Sequence, residues 1–141
     1  MDRVFTLDAS GMFWARAREL WVEQIVTNLV SNAVKYSADG EPVEITVRRL
    51  RGRIQVAVAD HGYGIPADEL DRVFERFHRV REATTQTGAG LGLYIARQLA
   101  REMDGTISVE SAPGRGSTFV LALPAVARLV GVRATPEIVG P

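Results

Sequence analysis

One short segment of the chain places two carboxamides, a lysine and a tyrosine at helical spacing. Asn28, Asn32 and Tyr36 recur at every fourth residue with Lys35 beside them, so a helix would present them together. Asparagine is a poor helix former, because its side chain competes for backbone groups. We therefore interpret the two amides as oxygens aimed at a metal ion or a polar ligand, with Lys35 available for phosphate and Tyr36 for a ring. The alternative is a solvated helix face that carries amides.

An acidic residue followed by two glycines ends a strand-like segment in the middle of the chain. The run from Asp60 to Ile65 includes Gly62 and Gly64 and follows an alternating apolar segment. A carboxylate at a strand end can accept from an exocyclic amine, and glycines let backbone approach a flat ring closely. An Asx-type turn with permissive glycines is the alternative, which this motif alone favours.

Three further glycines, Gly88, Gly90 and Gly92, lie at the start of a helix-like segment. Free N–H groups and the positive end of a helix attract anions, so this segment is a candidate anion site. It matches neither a Walker loop nor a dinucleotide fingerprint, and a flexible hinge before a helix is the alternative. The run from Gly114 to Thr118 predicts a hairpin turn, with the lining of a site as its alternative.

Hydrophobic periodicity predicts the elements that position these residues. Helices are predicted from about 17 to 36, from 66 onward and over 91–103, and strands over 4–7, 12–15, 43–47, 54–60, 106–110 and 117–123. This order predicts an α+β fold, a two-layer sandwich with a mixed, mostly antiparallel sheet and about three helices on one face. We expect residues 1–124 to form one domain and 125–141 a C-terminal tail.

Composition excludes several classes of function. The formal net charge is zero, so no global field attracts nucleic acid or an acidic membrane. The absence of cysteine excludes disulfides and thiolate chemistry and suits a reducing compartment. No apolar run approaches the roughly 20 residues of a membrane span. We see no catalytic triad and no close carboxylate pair, and we interpret the single histidines, His61 and His78, as structural or solvated.

The order of the motifs is more specific than any one of them. Asn-x-x-x-Asn-x-x-Lys-Tyr, Asp-x-Gly-x-Gly-Ile, Phe-x-x-Phe, Gly-x-Gly-x-Gly-Leu and Gly-x-Gly-Ser-x-Phe follow one another in series. This series strongly resembles the ATP-binding catalytic domain of bacterial two-component sensor histidine kinases, in the GHKL superfamily of gyrase, heat-shock chaperones and mismatch-repair ATPases. The resemblance covers about residues 4–124 and implies the GHKL fold, ATP and Mg²⁺ as cofactors, and phosphoryl transfer to a histidine.

The resemblance assigns roles to the residues of the first motif, the N box. Asn32 would hold Mg²⁺, Asn28 and Lys35 would contact the phosphates, and Tyr36 would lie along the adenine or ribose. Arg79 matches an arginine that can reach the terminal phosphate. Asn28, Asn32, Lys35 and Arg79 are therefore the expected catalytic set.

The glycine boxes and the phenylalanine box would form the rest of the nucleotide site. Asp60 would accept from the adenine amino group, with Gly62 and Gly64 beneath the base. The loop 81–87 would be the ATP lid. The other expected nucleotide contacts are Ile65, Phe77, Gly88, Gly90, Leu91, Gly92, Leu93 and Thr118.

One departure from the family pattern concerns the acceptor. Nothing in the chain resembles the helical hairpin that carries the phosphoacceptor histidine. We therefore expect an excised domain or one half of a split kinase, cytoplasmic and monomeric, without direct membrane contact or nucleic-acid partner. Its partners would be a dimerisation and phosphoacceptor domain and, downstream, a response regulator.

The sequence leaves two other functions open. A self-contained ATPase of the same superfamily would typically carry glutamate at the position of Asn28, to act as a general base on water. A non-enzymatic module would use the fold to dock partners, and intact glycine boxes argue against it.

Overall fold

The computed structural model describes residues 5–8, 14–37, 40–76 and 91–126. Their elements are the strands β1 (Phe5–Asp8), β2 (Val43–Leu50), β3 (Arg53–Ala59), β4 (Thr106–Ser111) and β5 (Ser117–Pro124), and the helices α1 (Glu19–Tyr36) and α2 (Gly92–Glu102). The five strands form one sheet in the order β1-β2-β3-β5-β4. β1 runs parallel to β2, and the other neighbours are antiparallel. The predicted mixed, mostly antiparallel sheet is confirmed.

The core lies between the sheet and the two helices. α1 buries Ile25, Leu29 and Ala33 at the helical spacing of a core-facing stripe. α2 packs against α1 and contributes Ala96 and Ala100, both fully buried. The sheet side of this cluster consists of alternate strand residues, namely Val43, Val58, Ile107, Phe119, Leu121 and Leu123. Burial of one stripe fixes the rotation of α1, and therefore where its asparagines lie.

The helix predicted after Pro66 is wrong for the described residues. The chain there makes backbone hydrogen bonds from Glu69 to Pro66, from Arg72 to Glu69 and from Glu75 to Arg72, each spanning three residues. Only Leu70–Arg72 is helical, as a 3-10 turn. Val73 and Phe74 follow this turn, and both are buried in the core. The described part of the chain therefore holds two α-helices where about three were expected.

The predicted strand over 12–15 can be compared with the structure only at residues 14 and 15. Residues 12 and 13 lie outside the described ranges, and Ala15 makes only an isolated bridge to Ala125. A backbone hydrogen bond of 2.7 Å from Val126 to Trp14 extends this contact. The domain boundary after residue 124 stays a prediction, since residues 127–141 lie outside the described part.

Candidate nucleotide site

α1 and the start of α2 bring the first motif against the second glycine box. The side-chain amide of Asn28 donates a hydrogen bond from Nδ2 to the carbonyl oxygen of Gly92, over 3.1 Å. Asn28, Asn32 and Tyr36 are half-buried, and Lys35 is exposed. Since the Asn28 amide donates through its nitrogen, its Oδ1 stays available as an acceptor. The structure thus gathers two predicted groups of site residues at one end of the helical layer.

Asp60 lies directly after β3, beside the first residue of β5, because these strands are antiparallel. Its backbone N–H donates to the carbonyl of Ser117 at 2.9 Å. Its side-chain Oδ1 accepts from the backbone N–H groups of Gly62, at 3.0 Å, and Ser117, at 3.2 Å. Within the described residues every hydrogen bond to this carboxylate goes to Oδ1, so Oδ2 can accept from a ligand.

The Asp60 side chain is only 6% exposed. Burial raises the pKa of its carboxyl above the usual range, against the lowering effect of the Gly62 and Ser117 hydrogen bonds and of nearby His61. His61 is itself exposed, and its Nε2 lies 3.0 Å from Oε1 of Glu44, whose hydrogen bond raises the His61 pKa. Asp60 is thus a buried acceptor held in one orientation by backbone donors.

The two glycines after Asp60 are required by the fold itself. A Cβ at Gly62 would lie 1.8 Å from the carbonyl oxygen of Tyr36, and one at Gly64 would lie 2.0 Å from that of Ala112. Gly64 also has a φ of +74°, which favours glycine. Protein backbone therefore fills the space that a side chain would need at both positions. Their contact with a base stays a prediction.

The remaining predicted contacts are distributed unevenly. Ile65 is buried, while Leu91 and Leu93 are half-buried at the start of α2. Thr118 pairs with Ala59 and Glu110, so it lies on the sheet face opposite its neighbour Phe119. Phe74 packs edge-on against Phe119, with ring centroids 6.1 Å apart. Four predicted site residues lie outside the described part of the chain, as does the predicted lid over 81–87: Phe77, Arg79, Gly88 and Gly90.

Two serines that the sequence analysis did not assign to the site contact its loop. The Ser117 backbone bonds Asp60, and the Ser111 hydroxyl accepts from the backbone N–H of Ile65 at 2.7 Å. The signal for Ser117 is its place in the run from Gly114 to Thr118, for which the sequence predicts a hairpin turn, with the lining of a site as the alternative. Nothing in the local pattern around Ser111 distinguishes it from other strand serines.

The described residues contain no group of three or more histidines, cysteines or acidic residues that could hold a metal ion. An amide oxygen from α1 could bind a divalent ion here together with oxygens of a ligand. Mg²⁺ accepts such a set, since it prefers hard oxygen ligands and keeps several waters. The half-buried Asn32 fits that requirement.

The chain belongs to the family of histidine kinase-, DNA gyrase B- and HSP90-like ATPases, whose model matches residues 17–127. The fold agrees with this assignment. In the described residues, no helix is long and apolar enough to cross a membrane.

Within this family, the chain is similar to several proteins named as sensor histidine kinases. The sensor-like histidine kinase SenX3 of Mycobacterium tuberculosis is 50% identical over 103 residues, which cover 72% of this chain and 25% of SenX3. The chain thus spans about a quarter of the length of this curated relative. The mycobacterial sensor histidine kinase MprB superposes with a TM-score of 0.79 at 28% identity, over 87% of this chain and 84% of that structure. Full-length ShkA in complex with AMPPNP gives a TM-score of 0.67 at 30% identity, over 94% of this chain and 27% of ShkA.

Proposed function

We propose that this chain is the catalytic domain of a sensor histidine kinase. It binds Mg·ATP and donates the γ-phosphoryl group to a histidine on a separate dimerisation and phosphoacceptor domain. In that step the bond between the γ-phosphorus and the bridging oxygen breaks, a bond to the histidine nitrogen forms, and ADP leaves. Family membership and the names of similar proteins support this reaction class.

Asp60 is the proposed adenine anchor. Its Oδ1 is occupied by two backbone N–H groups, which leaves Oδ2 to accept from the 6-amino group. A buried acceptor discriminates well, because a ligand that fails to pair with it leaves a desolvated oxygen. The nearby Tyr36 and Ile65 would contact the base and the sugar, with Leu91 and Leu93 in the same set. Thr118 stays in the proposed set from the sequence alone, since its side chain lies on the sheet face opposite Phe119.

The proposed phosphate end of the site lies along α1. Asn32 would hold Mg²⁺, which neutralises charge on the phosphates. Asn28 would contact the phosphates through its available Oδ1, and Lys35 through its exposed ammonium group. The rest of the proposed set rests on the sequence alone and consists of Phe77, Arg79, Gly88 and Gly90. These residues position groups and stabilise charge, as phosphoryl transfer requires of a protein.

The observation that carries the kinase proposal over a self-contained ATPase is the hydrogen bond from Asn28 to Gly92. A glutamate at this position could activate water, but it would offer no N–H to that carbonyl. An amide satisfies the carbonyl and cannot act as a general base. The contact therefore supports transfer to a protein acceptor rather than to water.

The surroundings of the domain follow from the same proposal. We infer that the chain acts in the cytoplasm, alone as a monomer, on a phosphoacceptor domain of its parent protein or of a split partner. A response regulator would receive the phosphoryl group from that histidine. The chain matches about a quarter of SenX3, which supports the proposal that the catalytic and phosphoacceptor functions lie in separate domains.

A transfer assay tests the proposal. The chain would be incubated with γ-labelled Mg·ATP and a phosphoacceptor domain of a sensor histidine kinase, and acid-labile label on that domain would be measured. We expect transfer by the wild type and by Ser31→Ala, an exposed change on the same helix, and loss of transfer in Asn32→Ala. Rapid ATP hydrolysis without transfer would favour an ATPase, and absence of nucleotide binding would favour a non-enzymatic module.

A further inference from the structure

The hydroxyl group of Ser111, at the end of β4, joins three separate segments beside Asp60. Its oxygen accepts from the backbone N–H of Ile65 at 2.7 Å. It lies 2.8 Å from the carbonyl oxygen of Gly116 and 2.9 Å from the hydroxyl oxygen of Ser117. A half-buried side chain on an edge strand thus contacts the loop after β3, the last residue of the turn between β4 and β5, and the first residue of β5.

Hydrogen-bond capacity fixes the direction of each of these contacts. A serine hydroxyl has one proton to donate and two lone pairs to accept with. A carbonyl oxygen can only accept, so Ser111 donates to Gly116. It must then accept from both Ile65 and Ser117, which makes the Ser117 hydroxyl a donor. Every donor and acceptor of the Ser111 hydroxyl is used in this arrangement, which leaves it one orientation.

The same network continues to the Asp60 carboxylate. The backbone N–H of Ser117 donates to Oδ1 of Asp60, and the backbone carbonyl oxygen of Ser117 accepts from the backbone N–H of Asp60. Gly116 packs so closely that a Cβ there would lie 2.0 Å from the carbonyl oxygen of Asp60. On the other side, the backbone N–H of Gly114 donates to the carbonyl of Tyr63 at 2.7 Å. The turn between β4 and β5 therefore packs against the loop from Asp60 to Ile65, and the hydrogen bonds of Ser111 connect the two.

We propose that Ser111 is a positioning residue for adenine selectivity: it holds the turn between β4 and β5 against the 60–65 loop, so that Oδ2 of Asp60 keeps its direction toward the 6-amino group. This inference rests on the proposed function. Ser111 itself touches no nucleotide. Its effect is on the ratio between adenine and a 6-oxo purine, whose carbonyl oxygen would face the carboxylate and could not donate to it.

Titration of the purified chain with Mg·ATP and Mg·ITP by calorimetry tests this role. We expect the wild type to prefer ATP by about tenfold or more, because one hydrogen bond to a charged acceptor is gained. Ser111→Ala should reduce that preference by about fivefold or more, since Asp60 loses its fixed orientation. Ser111→Thr keeps the hydroxyl and should retain the preference. The matched control is Ser108→Ala, an exposed serine on the same strand.

A second readout does not depend on nucleotide. Hydrogen exchange at the Ile65 amide should become faster in Ser111→Ala and stay unchanged in Ser108→Ala. If Ser111→Ala fails to fold, Ser111→Cys keeps the shape with a weaker hydrogen-bonding group and should show the same two changes to a smaller extent. If the variants bound ATP and ITP more weakly by the same factor, Ser111 would have only a structural role. That result would overturn this inference and leave the proposed function standing. A wild type that binds neither nucleotide would overturn the proposed function and this inference together.

Discussion

The side-chain amide of Asn28 donates a 3.1 Å hydrogen bond to the backbone carbonyl of Gly92, and so joins two positions 64 residues apart in the chain. Gly92 is the first residue of α2. The contact therefore couples the asparagine face of α1 to the beginning of the second helix, where a phosphate group is expected to bind.

Asn28→Asp should weaken this junction. The carboxylate has no N–H to donate, and its oxygen would face the oxygen of Gly92. We expect a loss of about 0.5–1.5 kcal/mol in the free energy of unfolding, the usual net contribution of one hydrogen bond, together with reduced phosphoryl transfer. Urea unfolding and the transfer assay measure the two effects. Ser31→Ala is the control, and an Asn28→Asp protein as stable and active as the wild type would contradict the expectation.

Asp60→Asn should separate nucleotide binding from folding. The amide oxygen can still accept from Gly62 and Ser117, so the loop keeps its hydrogen bonds. The amide nitrogen would replace Oδ2 and present donors to the adenine amino group. We expect binding of a non-hydrolysable ATP analogue to weaken by about tenfold or more, measured by calorimetry. Asp104→Asn, at an exposed position that tolerates asparagine, should bind like the wild type; equal affinities in all three proteins would remove Asp60 from the adenine site.

The same residue predicts a pH dependence of stability. Burial raises the pKa of Asp60 in the folded state above its ordinary value of 3.8. At a pH between the pKa of Asp60 in the unfolded chain and its raised pKa in the folded protein, the folded protein binds more protons than the unfolded chain. The contribution of Asp60 to the free energy of unfolding therefore falls as the pH rises between these two pKa values. We expect wild type to lose stability relative to Asp60→Asn as the pH rises from about 3.8, measured by urea unfolding of both proteins. A difference that changes in the opposite direction would mean that hydrogen bonding outweighs burial at this carboxylate.

Substitution by alanine should change the stability of the protein in opposite directions at two glycines of the site. In Gly62→Ala the new Cβ would meet the Tyr36 carbonyl at 1.8 Å, so the backbone must move and the bridge between Gly62 and Ser37 would break. We expect a loss of about 2–4 kcal/mol in the free energy of unfolding. In Gly92→Ala the nearest atom would be the Asn28 Cγ at 3.8 Å, an ordinary contact, and alanine favours a helix by up to about 1 kcal/mol. Thermal unfolding of both variants checks this contrast, which equal stabilities would refute.

The sequence by itself predicted the sheet, the two α-helices and the order of the motifs, because these depend on local periodicity and on residue type. Alternation of apolar residues indicates β3, and the spacing of Ile25, Leu29 and Ala33 indicates α1. In the described residues the helix expected after Pro66 was wrong, because only Leu70–Arg72 is helical, as a 3-10 turn. Local propensity does not contain the core contacts of Val73 and Phe74 that follow this turn.

Only the tertiary structure decided which residues meet. Antiparallel pairing of β3 with β5 brings Ser117 to Asp60, and the packing of α2 on α1 brings Gly92 to Asn28. The need for glycine at 62 and 64 likewise comes from backbone more than twenty residues away, at Tyr36 and Ala112. Such contacts follow from how whole elements pack. The sequence therefore determined the types of group available for a nucleotide site, and the fold determined which donors orient its acceptors.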